Sequence, residues 1–155
     1  MDEVTYTGYC HSPIGTFCIT CHSKAVVEAY FTDNQGCDLP PDAPEVLKEA
    51  ISQVSAYFAG CRKVFDVPLD PAGPPFFQQV WRELLRIPYG STCSYGALAA
   101  NIGHPKASRA VGLANNRNPI SILIPCHRVI GANGNLTGYA SGLERKRWLL
   151  ALEKR

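Results

Sequence analysis

Eight residues near the middle of the chain, Pro68-Leu69-Asp70-Pro71-Ala72-Gly73-Pro74-Pro75, decide most of what this sequence can become. Four prolines and a glycine fix φ, remove backbone donors and add slack, so neither a helix nor a central strand can run through them. The chain therefore reads as two small domains, 1–73 and 74–155. Charge changes sign at the same place. Residues 1–73 carry four Lys/Arg against ten Asp/Glu, a net of −6, and residues 74–155 carry eleven against three, a net of +8. A basic half beside an acidic one implies that the basic half meets a polyanion, with a merely solvated surface as the alternative. No stretch approaches the roughly 20 apolar residues of a membrane span. Met1-Asp2-Glu3 lacks the positive start and apolar run of a signal peptide, so a cytoplasmic protein is expected. Seven cysteines, an odd number, then read as free thiols.

The N-terminal half has strand patterns near 4–9, 15–21 and 25–31, the last carrying Val26, Val27, Tyr30 and Phe31. A helix is expected over about 43–59, where Val46, Leu47, Ala50, Ile51, Val54, Tyr57 and Phe58 recur at helical spacing before Gly60. Val64-Phe65-Asp66-Val67 reads as a closing strand. The C-terminal half is mainly helical. Phe77, Val80, Trp81, Leu84 and Leu85 form one apolar face, ended by Pro88 and Gly90. Ser94 is placed to cap a second helix that Gly103-His104-Pro105 stops, and a third runs from about Lys106 to Asn115-Asn116. Two short helices joined by a Gly-containing turn have the dimensions of a helix-turn-helix, a pattern also met in helical pairs that bind nothing. The third helix is rich in small residues (Ala107, Ser108, Ala110, Gly112, Ala114) with Arg109 at its start. It suits either close helix packing or approach to a narrow groove with one long cation projecting.

Ile120-Ser121-Ile122-Leu123-Ile124 reads as a short buried strand that delivers Cys126 at its end, followed by His127 and Arg128. A thiol with pKa near 8.5 is only about 3% thiolate at pH 7, so full ionisation gains roughly thirtyfold in nucleophile. His127 and Arg128 are the candidates for promoting it. For a Cys-His pair alone a buried structural cysteine is the commoner outcome, because neighbouring side chains on an extended segment diverge.

The longer run Asn118-Pro119-Ile120-Ser121-Ile122-Leu123-Ile124-Pro125-Cys126-His127-Arg128-Val129-Ile130 is far more specific. With Ser94-Tyr95, Ser108-Arg109-Ala110-Val111-Gly112, Gly138-Tyr139-Ala140-Ser141-Gly142 and Trp148-Leu149-Leu150-Ala151-Leu152-Glu153, it resembles the methylated-DNA–protein-cysteine methyltransferases, also called O6-alkylguanine-DNA alkyltransferases. The resemblance is dense from Pro74 to Glu153 and loose before it. It implies an α/β protein with a small ribonuclease-H-like sheet-and-helix domain and a mainly helical, winged-helix-like domain carrying the helix-turn-helix. The activity implied is irreversible transfer of the alkyl group of O6-alkylguanine in DNA to Cys126, once per molecule, with O4-alkylthymine a second candidate substrate.

By the same resemblance, His127 takes the thiol proton through a bridging water and Glu153 orients that histidine, the logic of a triad. Tyr95 donates to N3 of the leaving guanine. Arg109 fills the gap left by the extruded base, on a helix that lies in the minor groove of duplex DNA, with Ser94, Ala110 and Gly112 on the same DNA-facing side. Asn118 braces the turn before the cysteine, and Val129, Tyr139 and Ala140 belong to the base pocket. Some members place serine where this chain has Ala140; the change is harmless if only the backbone amide is used there, and weakens recognition of O6 if the hydroxyl contributes. Non-repairing relatives replace the acceptor cysteine, and this chain keeps it. A monomer is expected.

Cys10-His11 and Cys18-x-x-Cys21-His22 invite a zinc site, and some relatives hold zinc in this domain with two cysteines and two histidines. No matching histidine lies between Cys21-His22 and the linker, and Cys18 and Cys21 fall on opposite faces of a strand, so these residues read as packing. Cys37, Cys61 and Cys93 show no partner pattern. With no P-loop or dinucleotide fingerprint either, no cofactor is expected. Two other functions fit parts of the pattern. One is a module that binds alkylated bases without repairing them; the other is a cysteine hydrolase using Cys126, His127 and Glu153, which leaves the helix-turn-helix and the basic half unexplained.

Overall fold

The computed structural model describes residues 4–34, 36 and 39–155, so Cys37 lies outside the described residues. The chain divides into two compact units, Met1–Pro71 and Ala72–Arg155.

In the first unit, β1 (Tyr6–Ser12), β2 (Gly15–Cys21) and β3 (Val26–Thr32) form an antiparallel meander. Cys10 faces Phe17 across the first pair and Cys18 faces Tyr30 across the second. The helix α1 (Glu45–Phe58) lies against this sheet. Its buried Leu47, Ala50, Val54 and Tyr57 meet Phe17, Ile19, Val26 and Ala29, all fully shielded from solvent. Gly8 permits the close approach, since a Cβ there would collide with Ile51.

The expected strand at 64–67 does not form. Buried Gln53 of α1 takes the segment instead: its Oε1 accepts from the Asp66 amide at 3.1 Å, and its Nε2 donates to the Asp66 carboxylate. A backbone amide engaged by a side chain is lost to a ladder. The pairing moves downstream, where Leu69 makes a parallel bridge to Val26, with the Val26 amide donating to Pro68 O and the Asp70 amide to Val26 O.

Of the described cysteine and histidine residues of this unit, Cys10, Cys18, Cys21 and His22 are buried, while His11 and Cys61 are exposed. Cys10 Sγ lies 3.7 Å from Ile51 O. His22 Nε2 sits 2.9 Å from Asp70 Oδ2, while its Nδ1 accepts from the Lys24 and Ala25 amides, so both ring nitrogens are engaged. Among the described residues, no group of three or more His, Cys, Asp or Glu is placed to hold a metal. Nor is any described helix long and apolar enough to cross a membrane.

The second unit opens with α2 (Pro75–Leu84), which starts on Pro74-Pro75 and buries Val80, Trp81 and Leu84. A proline at N1 suits a helix start, because its missing N–H has no partner there anyway. The two-residue strand β4 (Cys93–Ser94) leads into α3 (Tyr95–Asn101), and α4 (Ser108–Asn116) follows. Ser94 caps α3 by accepting from the Ala97 amide at 3.0 Å. The helix ends in a Schellman turn at Gly103 (φ +82°), with His104 N donating to Ala99 O and Gly103 N to Ala100 O. Trp81 Nε1 donates to Ala114 O at 2.8 Å and locks α2 onto α4. Past α4 come a 3-10 turn, Cys126–Arg128, the strand β5 (Val129–Ile130) and the last helix α5 (Leu143–Glu153). β4 and β5 pair in parallel, Cys93 opposite Val129 and Ser94 opposite Ile130.

Residues 120–124 are not the buried strand expected from their composition. They form a tight buried turn, with the Ile124 amide donating to Ile120 O at 3.0 Å and the Leu123 amide to Ser121 O at 2.8 Å. Ile122 adopts a left-handed φ of +71°, unusual for a β-branched residue. Four of its five side chains are apolar because the turn is enclosed by protein, Ser121 being the polar exception. That composition resembles a central strand without any ladder.

Candidate active site

Cys126 is delivered by this turn and the 3-10 helix that follows it. Asn118 fixes the turn from both ends, its Nδ2 donating to Ile124 O at 2.8 Å and its Oδ1 accepting from the Ile120 amide at 3.0 Å. The Cys126 thiol is buried, 4% exposed. Burial pushes its pKa up, because the thiolate loses its water. The Asn118 amide, the Lys146 ammonium and the Ser121 hydroxyl oppose that rise by favouring the charged form.

His127 has no exposed surface, and its Nε2 lies 2.7 Å from Glu153 Oε2. Burial lowers its pKa, and the carboxylate beside it only partly offsets that, so at neutral pH the ring is an uncharged base. With Nε2–H donating to Glu153, Nδ1 carries the free lone pair; it is buried and has no partner in the protein.

Arg128 departs from the expectation that it promotes ionisation of the thiol. Its Nε and Nη2 reach the two Glu153 oxygens at 2.8 and 3.0 Å, and Nη1 donates to Ile87 O at 2.7 Å. The guanidinium is committed to the carboxylate, a planar fork on a planar acceptor. Glu153 also accepts from the Gly90 amide at 3.3 Å. A residue that could have been a solvated helix end is the buried hub of the site, 4% exposed.

Two buried polar residues escaped the sequence reading. Lys146, fully buried on α5, donates from Nζ to Val129 O and Thr137 O, the latter at 2.8 Å. It ties the chain after the reactive turn to the loop before Tyr139. Asn115, 2% exposed on α4, donates from Nδ2 to Cys126 O at 3.3 Å. Both were detectable as polar residues on otherwise apolar faces, Val111-Ala114-Asn115 in α4 and Lys146-Leu149-Leu152 in α5.

The remaining predicted residues fall into two places. Val129 and Tyr139 are buried, and Tyr139 is close enough to Cys126 that a thiolate there raises its pKa further, beyond the larger effect of burial. Ala140 is exposed next to it. A concavity of about 330 Å³ is lined by Tyr95, Ser108, Arg109, Gly112, Asn116 and the loop at Thr137-Gly138. There the Tyr95 hydroxyl donates to Thr137 O at 3.1 Å, and Gly112 lies beneath the Tyr95 ring. Arg109 and Ala110 are exposed at the start of α4, and the Ser94 oxygen is engaged in its helix cap.

The arrangement can therefore do nucleophilic chemistry beside a surface helix that carries one free-standing arginine. Comparison with known proteins agrees in both halves. The family model described as the 6-O-methylguanine DNA methyltransferase DNA-binding domain matches residues 75–155, and that of the ribonuclease-like domain matches 5–71. A methylated-DNA–protein-cysteine methyltransferase of Methanosarcina acetivorans is 52% identical over 152 residues, covering 96% of this chain and 97% of its own. The Mycobacterium bovis protein of the same name is 50% identical over 147 residues, 92% of this chain and 88% of that one. Among solved structures, Mycobacterium tuberculosis OGT in complex with DNA superposes with a TM-score of 0.86 at 47% identity, covering 96% of this chain and 92% of that one. On this evidence the chain belongs to the O6-methylguanine DNA methyltransferase family.

Proposed function

We infer that Cys126 is the acceptor through which this protein takes alkyl groups off O6 of guanine in DNA. The observation that carries this reading is the buried chain Arg128–Glu153–His127 next to a buried thiol. Glu153 holds the imidazole in the tautomer whose Nδ1 can accept a proton, and Arg128 pairs with Glu153 and fixes its position. The proton leaves Sγ through a bridging water and reaches Nδ1, and the imidazolium is stabilised by the carboxylate. The thiolate then attacks the alkyl carbon, the O6–carbon bond breaks, and the guanine leaves with its negative charge neutralised by a proton from Tyr95 at N3.

Binding rests on the helix-turn-helix. Arg109 enters the duplex from the minor groove and holds the space of the extruded base, while Ser94, Ala110 and Gly112 face the backbone. Backbone groups at Val129 and Ala140, with Tyr139, form the base pocket. Support for DNA binding comes from the family of the second unit and from the M. tuberculosis relative solved with DNA. The protein acts as a cytoplasmic monomer in this reading, which rests on the sequence.

The test is incubation with a duplex containing one O6-methylguanine, followed by intact-mass analysis. The protein should gain one methyl group on Cys126, and product should stop at one equivalent, because a thioether offers no leaving group. Continued turnover would argue for the hydrolase. Binding without transfer would leave only a recognition module. Cys126→Ala should bind the duplex and transfer nothing.

A further inference from the structure

Among the described residues, two buried polar atoms at or beside the reactive turn that lack a protein partner are His127 Nδ1 and Asn115 Oδ1. A buried acceptor left unpaired costs about 1–3 kcal/mol, so each needs an explanation. That for His127 Nδ1 is the proton transfer just described. Asn115 is the informative one, because the reaction as described does not use it.

Asn115 lies on the buried face of α4 and donates from Nδ2 to Cys126 O. That oxygen belongs to the peptide joining Cys126 to His127, so the amide rests against the bond between nucleophile and base. Its orientation is set by chemistry. Flipping it would bring Oδ1 against the Cys126 carbonyl, two acceptors in contact. Oδ1 is thus directed away from that carbonyl, buried, on the same small group that touches the turn.

Two unpaired acceptors, Asn115 Oδ1 and His127 Nδ1, therefore belong to the residues that hold and form the Cys126–His127 peptide. Neither can satisfy the other. A single water can satisfy both, since it donates twice and accepts once, the usual complement of a buried water. We propose that Asn115 is a positioning residue whose Nδ2 clamps the Cys126–His127 peptide and whose Oδ1 anchors the water that relays the thiol proton to His127. The relay balances: water takes the proton from Sγ and passes one of its own to Nδ1, leaving thiolate, imidazolium and water. The upward push of burial on the Cys126 thiol makes such a relay valuable at neutral pH. Because Asn115 stands on α4, the helix that carries Arg109 also holds the relay in place.

The inference rests on Cys126 being the alkyl acceptor. The test is single-turnover transfer from a duplex with one O6-methylguanine, protein in saturating excess so that DNA affinity drops out, from pH 6.5 to 9.5. Asn115→Leu keeps the shape and removes both polar contacts. It should be about tenfold slower than wild type at pH 7, with the deficit narrowing to threefold or less at pH 9.5, where solvent ionises the thiol without a relay. Asn115→Asp keeps an acceptor oxygen and adds a negative charge near the thiol. Its pH profile should move up by about one unit and reach a plateau within threefold of wild type. A Leu deficit that is constant across the range, or a Leu rate within twofold of wild type at pH 7, overturns the proposal. If Leu fails to fold, Asp decides alone, and a lowered plateau on an unshifted profile overturns it. If wild type itself transfers nothing to Cys126, the functional reading fails instead, a result distinct from any of these.

Discussion

Replacing Glu153 with glutamine perturbs stability and chemistry through one atom. The carboxylate receives donors from His127, twice from Arg128 and from the Gly90 amide. Glutamine offers one acceptor oxygen and one NH2 group, and its amide must choose. With the oxygen toward Arg128, the NH2 group faces His127 Nε2, where two donors clash unless the imidazole changes tautomer and moves its proton to Nδ1. With the oxygen toward His127, the NH2 group faces a buried guanidinium. Either way a 6%-exposed arginine loses its counter-charge. Stripping one partner from a buried pair costs about 3–5 kcal/mol. Arg128 keeps its bond to Ile87 O and one bond to the amide, which places the estimate near the lower end, about 3 kcal/mol. For a unit of this size that lowers the unfolding midpoint by roughly 12 °C or more. The tautomer change blocks the relay, so transfer should fall at least tenfold, about 1.4 kcal/mol per decade. Both are read on one preparation: thermal unfolding of the second unit by circular dichroism, and single-turnover transfer well below the midpoint. A Glu153→Gln protein that unfolds within 2 °C of wild type and transfers within twofold of it would refute the reasoning.

Arg109→Ala should slow repair of O6-methylguanine in duplex DNA by about tenfold or more, since a flipped base costs a few kcal/mol, yet leave reaction with free O6-benzylguanine near the wild-type rate; equal losses on both would make it a fold or pocket residue. Lys146→Met leaves the Val129 and Thr137 carbonyls without their donor and removes a charge that favours the thiolate. It should shift the alkaline rise of transfer to higher pH and expose residues 131–138 to limited proteolysis, and an unchanged pH profile would remove Lys146 from the electrostatics of the thiol. The buried His127 has a depressed pKa, so the unfolded chain binds its proton more readily. Its contribution to stability is complete above the ordinary histidine value of about 6.5 and declines as pH falls from there toward the lower folded value. Urea midpoints at pH 7.5 and 5.5 should therefore differ less in His127→Gln than in wild type, and equal differences would contradict the assignment.

Much of this architecture was legible before the structure, and the failures have a common cause. Elements with strong punctuation appear where their residues put them: the meander, α1, and the helices begun by Pro74-Pro75 and Ser94. The two mistaken strands, 64–67 and 120–124, are segments whose backbone groups are taken by side chains or by a turn. Gln53 does this in one from across the unit and Asn118 in the other from just upstream, and hydrophobic periodicity reports neither side-chain bond. In the site, Cys126, His127 and Glu153 came from a motif. The job of Arg128 was misjudged because adjacency in sequence suggested adjacency to the thiol, whereas the 3-10 turn sends the guanidinium to α5 and Ile87. Lys146 and Asn115 are polar exceptions on apolar helix faces, and an amphipathic pattern by itself does not mark such exceptions as functional.

The left-handed conformation of Ile122 ties the reactivity of Cys126 to completion of the fold. A β-branched residue held there costs on the order of 1–3 kcal/mol, so the turn before Cys126 has no local tendency to form. It is sustained by what encloses it, the buried neighbours Ile120, Leu123 and Ile124 and the double hold of Asn118. A nascent or heat-damaged chain therefore carries at position 126 an ordinary cysteine, with no oriented histidine and no pocket. Nucleophilic power is a property of the finished tertiary structure. A molecule that can react only once is thereby kept from being consumed before its second unit is complete.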